Sequence, residues 1–306
     1  MAGRDVYGKT LVEIGAENED VVVLGADNLE SSRCIEFKKK FPERTFNVGI
    51  AEANMVSIAA GLATCGKIPF VNAYAFLLSM RASEQVRTDV CYPRLNVKFV
   101  TSMFGVIAGT GGTTHHSVED LAIMRSFPNM TVIEAADGFE VMKVIRKIVD
   151  YEGPAYVRVG RDSVQVYESD YEFQIGKAVT LREGDDVAVI ASGIMVSEAL
   201  KAAKILSEEG IEVKVINMHT IKPIDRDTIL ETASKAKVIV TAEEHSIIGG
   251  LGSAVAEVVA GEGLGIKVKR IGFKDTFCTI GPTRELRKKY GLSWEEVVRV
   301  VRESVL

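Results

Sequence analysis

Val187-Ala188-Val189-Ile190, a helical stretch that Gly210 is placed to stop, and Val213-Lys214-Val215-Ile216 together read as one strand–helix–strand unit. Two short β-branched runs joined through a helix pair in parallel, since a hairpin would bring the chain straight back without one. The alternation continues outward on both sides. Val21-Val22-Val23-Leu24, Val97-Lys98-Phe99-Val100, Met130-Thr131-Val132-Ile133, Ala155-Tyr156-Val157-Arg158-Val159 and Val238-Ile239-Val240 are further strand candidates separated by helical patterns. Helix starts are signalled by Ser117-Val-Glu-Asp120, Asp137-Gly-Phe-Glu140 and Ser293-Trp-Glu-Glu296, where a side-chain oxygen can accept from a backbone N–H three residues on. Gly261 is a second candidate stop. The pattern predicts an α/β fold of two doubly wound domains with mainly parallel sheets.

The alternation breaks at Arg161 to Gly176, RDSVQVYESDYEFQIG, a polar and acidic stretch without helical period. A chain of 306 residues is about twice the usual domain length, so the break is placed as an inter-domain linker. The expected division is a first domain over 1–165, a linker over 166–177 and a second domain over 178–306, with no sequence repeat between them. With 37 Lys and Arg against 42 Asp and Glu, the formal charge of −5 argues against a protein whose affinity comes from neutralising nucleic-acid phosphates. Cys34, Cys65, Cys91 and Cys278 are scattered, which speaks against a disulfide framework or a thiolate metal site. The N-terminus lacks an apolar signal core, and no apolar run approaches the roughly 18 residues of a membrane span. A cytoplasmic protein with neither nucleic-acid nor membrane partners is expected.

Several local patterns admit a bland reading and a chemical one. Ala51 to Cys65, AEANMVSIAAGLATC, predicts a helix buried on most sides with one carboxylate, Glu52, at its entrance. Glu52 either makes a cap contact or, desolvated at the positive end of the helix, shares a proton with a bound group. Gly61 to Lys67 has part of a phosphate-loop spacing, but Ile68 stands where Ser or Thr is required, so helix followed by turn is expected. Gly249-Gly250-Leu251-Gly252 opens a helix, as an anion cradle or simply through tight packing. The Gly/Thr-rich loop AGTGGTTHHSVED, 108–120, delivers His115 and His116 ahead of a helix, either as a ligand loop or as a solvated turn. Neighbouring histidines diverge in direction, so no metal site is expected there. Arg158 and Arg161 follow a strand at the end where open sheets bind ligands, and either hold a phosphate or pair with linker acids.

Taken together, Phe46-Asn-Val-Gly-Ile-Ala-Glu52-Ala-Asn-Met55, Ile58 to Leu62, Arg81-Ala-Ser-Glu-Gln-Val-Arg87, Asn96-Val-Lys-Phe99, Thr114-His115, Glu119-Asp120, Arg125-Ser-Phe-Pro-Asn129 and Tyr156-Val-Arg158 resemble the pyrimidine-binding domain of transketolases. Val215 to Asp225 and Glu243-Glu-His-Ser-Ile-Ile-Gly-Gly-Leu-Gly252 resemble the transketolase C-terminal domain, so the resemblance covers nearly the whole chain. The Gly-Asp-Gly motif with which the family's N-terminal domain holds magnesium and diphosphate is not found. The chain thus resembles the C-terminal subunit of a split transketolase. The resemblance implies a transketolase N-terminal subunit as partner, an α2β2 heterotetramer with homodimer contacts, and thiamine diphosphate with Mg2+ held by the partner.

The resemblance also implies roles. The Glu52 carboxyl group would hydrogen-bond N1′ of the cofactor's aminopyrimidine, favouring the imino form that removes the thiazolium C2 proton. A two-carbon ketol unit would then pass from a ketose to an aldose, with sugar phosphates of the pentose phosphate pathway as the family's standard substrates. Tyr74 matches the first position that stacks on the pyrimidine and Leu77 the second, with Phe76 one residue away, so that either Tyr74 stacks alone or a small shift brings Phe76 in; Arg81 is assigned to the same cofactor site. Asp27, His115 and Arg161 match positions that contact substrate hydroxyls and phosphate.

The chain departs from the family pattern at three places. Ala53 follows the glutamate where relatives carry Gln or His, Ser102-Met103 replaces a Thr-His pair, and Thr110-Gly111-Gly112 replaces Glu-Asp-Gly. Losing a histidine and an acid at the sugar's hydroxyls predicts an altered or weakened substrate preference. Two rival expectations remain: another thiamine enzyme half, such as a 2-oxo acid dehydrogenase β subunit or 1-deoxyxylulose-5-phosphate synthase, and a non-catalytic regulatory subunit.

Overall fold

The structure is a computed structural model that describes residues 1–167 and 170–305; Glu168 and Ser169, within the expected linker, and Leu306, the end of the expected second domain, lie outside the described residues. The chain divides into two compact units, Met1–Phe104 with Ile123–Phe173, and Gly105–Ala122 with Gln174–Leu306. The segment Gly105–Ala122 therefore packs with the second unit although it interrupts the first in sequence.

The first unit contains α1 (Gly3–Glu17), β1 (Val21–Gly25), α2 (Ile35–Lys40), β2 (Thr45–Asn47), α3 (Glu52–Thr64), β3 (Ile68–Asn72), α4 (Ser83–Gln85), β4 (Lys98–Thr101), β5 (Thr131–Glu134), α6 (Gly138–Val149) and β6 (Ala155–Arg158), and from Ile123 onward the helix α5 (Asp120–Ser126) that precedes β5. Its strands lie in the order β5-β6-β4-β3-β1-β2, every neighbouring pair parallel. Strands β1, β4, β5 and β6 are buried along their whole length, which is why they read as mainly apolar runs rather than alternating ones. β3 is harder to read because Pro69 interrupts it. Pro69 pairs with Val22 of β1 and lies ahead of Phe70, the first residue of β3 to pair with β4, so no ladder bond on that side is lost.

The second unit contains β7 (Val179–Arg182), β8 (Val187–Ala191), α7 (Ile194–Glu208), β9 (Val213–Asn217), β10 (Thr220–Lys222), α8 (Arg226–Lys235), β11 (Val238–Ser246), α9 (Leu251–Gly261), β12 (Lys267–Phe273), α10 (Thr283–Lys289) and α11 (Trp294–Val305). Its sheet runs β12-β11-β8-β9-β7, parallel except for the edge strand β7. The expected α/β architecture of two mainly parallel sheets is what the chain adopts. No helix among the described residues is long and apolar enough to cross a membrane.

Local signals fare unevenly. Asp137 caps α6 as read, its carboxylate accepting from the Glu140 N–H at 2.9 Å. Gly210, at φ +78°, closes the turn after α7. Gly261 does not stop α9; the helix includes it, and Gly263 makes the left-handed turn. The expectation that α3 is buried on most sides also needs correction. Met55, Val56, Ala59 and Ala60 are buried, while Asn54, Ser57 and Gly61 are exposed and Ile58 and Leu62 half-buried. Its apolar composition overstated burial because small residues populate the open face too.

Two buried polar features yield measurable consequences. Tyr7 Oη donates to Asn72 Oδ1 at 2.7 Å, and Asn72 Nδ2 donates to the carbonyls of Leu24 (3.2 Å) and Phe70 (3.1 Å), tying α1 to the ends of β1 and β3. Tyr7→Phe leaves that Asn72 oxygen without its donor, for an expected loss of about 1–3 kcal/mol in urea-unfolding stability. At the start of β4, Lys98 Nζ donates to the carbonyls of Tyr151 (2.5 Å) and Gly153 (2.8 Å). Burial pushes its pKa down to about 7, with Glu152 opposing the shift. The unfolded chain holds that proton up to its ordinary lysine pKa of about 10.4. Below pH 7 both states are protonated and the cost of burying the charge is fully present; between about 7 and 10 only the unfolded state stays protonated, so stability from this group rises with pH. The urea midpoint should climb over that window relative to Lys98→Met; equal slopes would show that Lys98 stays charged in the core.

Candidate active site

In the first sheet the chain passes from β1 to β2 on one side and then to β3 on the other, so the loops leaving β1 and β3 part at their carboxyl ends. Open parallel sheets bind ligands in that crevice. Asp27 lies just beyond β1, Glu52 beyond β2, Tyr74 beyond β3 and Arg161 beyond β6, all on this carboxyl edge. Arg158, by contrast, points into the core: it is fully buried, ion-paired to Glu134 at 2.8 Å and stacked 4.5 Å from the Phe104 ring. Only Arg161 of the two arginines remains a ligand candidate.

Glu52 is the first residue of α3 and 1% exposed. Arg81 Nη1 reaches its Oε2 at 3.0 Å from the solvent side, offsetting part of the cost of taking the carboxylate out of water. Arg81 ends a π-helical stretch, Leu77–Arg81, and a second one spans Val86–Cys91 around α4. Such wide turns are uncommon and recur at functional sites, because they re-aim side chains that a regular helix would space differently. Tyr74 and Phe76 are half-buried with their ring centroids 6.2 Å apart and their planes 27° off parallel, and Leu77 beside them is half-buried too. The Tyr74 hydroxyl lies 3.3 Å from Ser31 Oγ.

Asp27 takes the left-handed conformation, φ +58°, which is uncommon for a non-glycine residue and which Asp tolerates better than most. Its backbone N–H donates to Asn47 Oδ1 at 2.9 Å, and Asn47 Nδ2 returns a bond to its carboxylate at 3.3 Å, leaving Asp27 exposed at the rim. Arg161 is half-buried and donates through Nε to the Ser102 carbonyl at 3.1 Å. Burial pushes its pKa down, with the charges of Arg4 and Arg33 adding to the shift and Tyr74 opposing it. Arg4 Nε is buried without an acceptor among the described residues, while Arg33 is paired with Asp5 at 2.6 Å. The Asp5 carboxylate thus offsets part of the positive charge that Arg161 faces. Arg4 and Arg33 escaped sequence reasoning because they sit on an N-terminal helix and in a polar loop, far from Arg161 in the chain.

Two of the residues that depart from the family pattern make backbone contacts. The Ser102 carbonyl receives Arg161, and the Met103 carbonyl accepts from the Ala75 N–H at 2.9 Å. Both contacts use backbone, so neither depends on the side chain that changed. His115 belongs to the second unit, exposed in the 105–122 segment, with Thr114 Oγ1 3.1 Å from its Nδ1. His116 is 6% exposed, and burial pushes its imidazole pKa down. Gly249-Gly250-Leu251-Gly252 does hold an anion, one of the chain's own: Glu243 accepts from the N–H groups of Leu251 (2.7 Å) and Gly252 (2.8 Å). A Cβ at Gly250 would fall 2.0 Å from that carboxylate, which makes packing the reason for the glycine.

A buried acid at the head of a helix on the carboxyl edge of one parallel α/β unit, joined to a second such unit, is the architecture of a class of two-domain enzyme halves. Residues 1–166 match the family model "Transketolase, pyrimidine binding domain", and residues 176–297 match "Transketolase, C-terminal domain". The chain belongs to the transketolase family, whose enzymes use thiamine diphosphate and a divalent metal. It is 47% identical over 305 residues to a transketolase C-terminal section of Methanocaldococcus jannaschii, covering 99% of this chain and 96% of that one. It is 43% identical over 301 residues to the 6-deoxy-6-sulfo-D-fructose transketolase subunit of Clostridium sp., covering 98% and 93%. A solved split-gene transketolase, described as an inactive β4 tetramer, superposes with a TM-score of 0.90 at 45% identity, covering 100% of this chain and 98% of that one.

Proposed function

We propose that this chain is the C-terminal subunit of a two-subunit transketolase that moves a two-carbon ketol unit from a ketose or ketose phosphate to an aldose or aldose phosphate. In this reading residues 1–165 form the pyrimidine-binding domain, 166–177 the linker and 178–306 the C-terminal domain. An N-terminal partner holds the diphosphate and Mg2+ in a cytoplasmic α2β2 assembly. The observation that carries the reading is Glu52, buried at the head of α3 with Arg81 at 3.0 Å.

The residues on the carboxyl edge fit the pyrimidine half of thiamine diphosphate. A buried carboxylate suits a ring nitrogen, and the neighbouring Tyr74, Phe76 and Leu77 offer flat and apolar surface. When bound, that cofactor supplies the carbon nucleophile and electron sink for splitting a ketose. Arg81 fixes Oε2 of Glu52, and Oε1 is the atom assigned to exchange the proton. Arg161, with Arg4 and Arg33, takes the terminal anion of the sugar. Asp27 and His115 meet its hydroxyls. The sulfonated ketose named for the Clostridium relative presents an anion at the same end of the sugar as a phosphate, which suits an arginine cluster. The open face of α3 suits contact with another chain, and the solved relative described as an inactive β4 tetramer supports self-association.

The test mixes the chain with its N-terminal partner, thiamine diphosphate and Mg2+, and follows ketose cleavage across neutral, phosphorylated and sulfonated ketoses. Partner-dependent ketol transfer is expected. An assembled holo-complex inert toward the whole panel overturns the reading, and decarboxylation of pyruvate instead would place the chain with the other thiamine enzymes.

A further inference from the structure

The motif Glu243-Glu244-His245 closes β11, and all three side chains are fully buried. The second sheet reverses its winding between β8 and β11, so these residues stand at the carboxyl-edge crevice where the fold would otherwise admit a ligand. They spend their polar atoms on the chain's own backbone and on the Arg287 side chain. Glu243 caps α9, as described. Glu244 Oε1 accepts from the Val106 N–H at 3.1 Å, and its Oε2 takes Arg287 through Nε (3.0 Å) and Nη2 (2.8 Å). His245 Nδ1 donates to the Ser246 carbonyl at 2.7 Å, which leaves Nε2 to accept the Ala122 N–H at 3.3 Å. The Ser246 N–H in turn donates to the Val118 carbonyl at 2.6 Å.

Glu244, His245 and the Ser246 backbone thus grip Val106, Ala122 and Val118, the two ends of the 105–122 segment. Between them the neck is closed by paired backbone bonds, Gly105 N–H to the Ser117 carbonyl at 2.6 Å and the reverse at 2.9 Å. Gly105, at φ +51°, presses so closely on Glu244 that a Cβ would lie 2.5 Å from its side chain. Farther out, Thr113 Oγ1 donates to the Cys278 carbonyl at 2.6 Å. The tip between these anchors is rich in glycine and threonine and would lose much conformational entropy on ordering. A buried ion pair is a poor source of net stability, but it suits fixing one backbone arrangement.

We propose that Glu244 and His245 are positioning residues that set the conformation in which the 105–122 loop presents Thr114 and His115 to the sugar. This assigns the C-terminal domain a part in substrate recognition, and it rests on the reading that His115 meets the substrate.

The experiment compares wild type with His245→Leu, His245→Gln, Glu244→Gln and His115→Ala. Backbone hydrogen exchange is read on the full chain, and KM, kcat and thiamine diphosphate affinity on the assembled enzyme. His245→Leu removes the acceptor for Ala122 and should speed exchange in 105–122 by about tenfold, leaving β8 and β9 unchanged. KM for the sugar should rise by a similar factor at unchanged cofactor affinity. His245→Gln restores an acceptor and should recover both readouts, while Glu244→Gln should loosen the segment without unfolding the sheet. Unchanged exchange in 105–122, or exchange raised equally across the whole second unit, overturns the proposal. A loosened loop with normal KM, where His115→Ala does raise KM, overturns it too. If His115→Ala is also silent, the proposal falls because the substrate reading beneath it is wrong.

Discussion

Glu52→Gln should lower ketol transfer by the assembled enzyme by about 10²–10⁴-fold, the range that a positioned proton donor or acceptor contributes. Glutamine keeps the shape and a hydrogen bond at the same place, but it cannot take up and return a proton. Stability should change little, because the Arg81 side chain facing Glu52 is 54% exposed and water screens the pair that is lost. Turnover of the variant, measured beside its melting curve, separates lost chemistry from lost fold. Partner-dependent activity above a tenth of wild type would remove Glu52 from the mechanism and favour the regulatory-subunit alternative.

Arg158→Met should be the more damaging change to the fold. Arg158 and Glu134 face each other across β6 and β5 as register partners, both 0% exposed and 2.8 Å apart. Removing the guanidinium takes the paired charge from a carboxylate in the core, and losing one member of a buried pair costs about 3–5 kcal/mol. The double replacement Glu134→Leu with Arg158→Met should recover most of that loss, since neither charge then remains to be solvated. Urea unfolding of the single and double variants checks both statements. A single variant as stable as wild type would mean that water reaches this pair.

The architecture was readable because buried parallel strands leave mainly apolar runs rich in β-branched residues, and β1, β4, β5, β6, β8 and β9 carry them. β3 hid behind Pro69, and the open face of α3 hid behind small residues that do not distinguish core from interface. The carboxyl edge was partly legible: Glu52 and Arg161 stand directly after or near strand ends, where ligands gather. The pairing of Arg81 with Glu52 follows from a π-helical turn that has no clear sequence signature. Arg4 and Arg33 become neighbours of Arg161 only through tertiary folding, which neither spacing nor composition records. The Glu243-Glu244-His245 motif was visible as a string of residues, but its attachment to a loop more than a hundred positions earlier was not.

That attachment bears on how such a protein changes over evolutionary time. A crossover at the linker between two diverged homologues would join the 105–122 loop of one parent to the β11 anchor of the other. The offspring would inherit the loop without the anchor that holds it. Loop and anchor should therefore travel as one heritable module, although the chain writes them in separate halves.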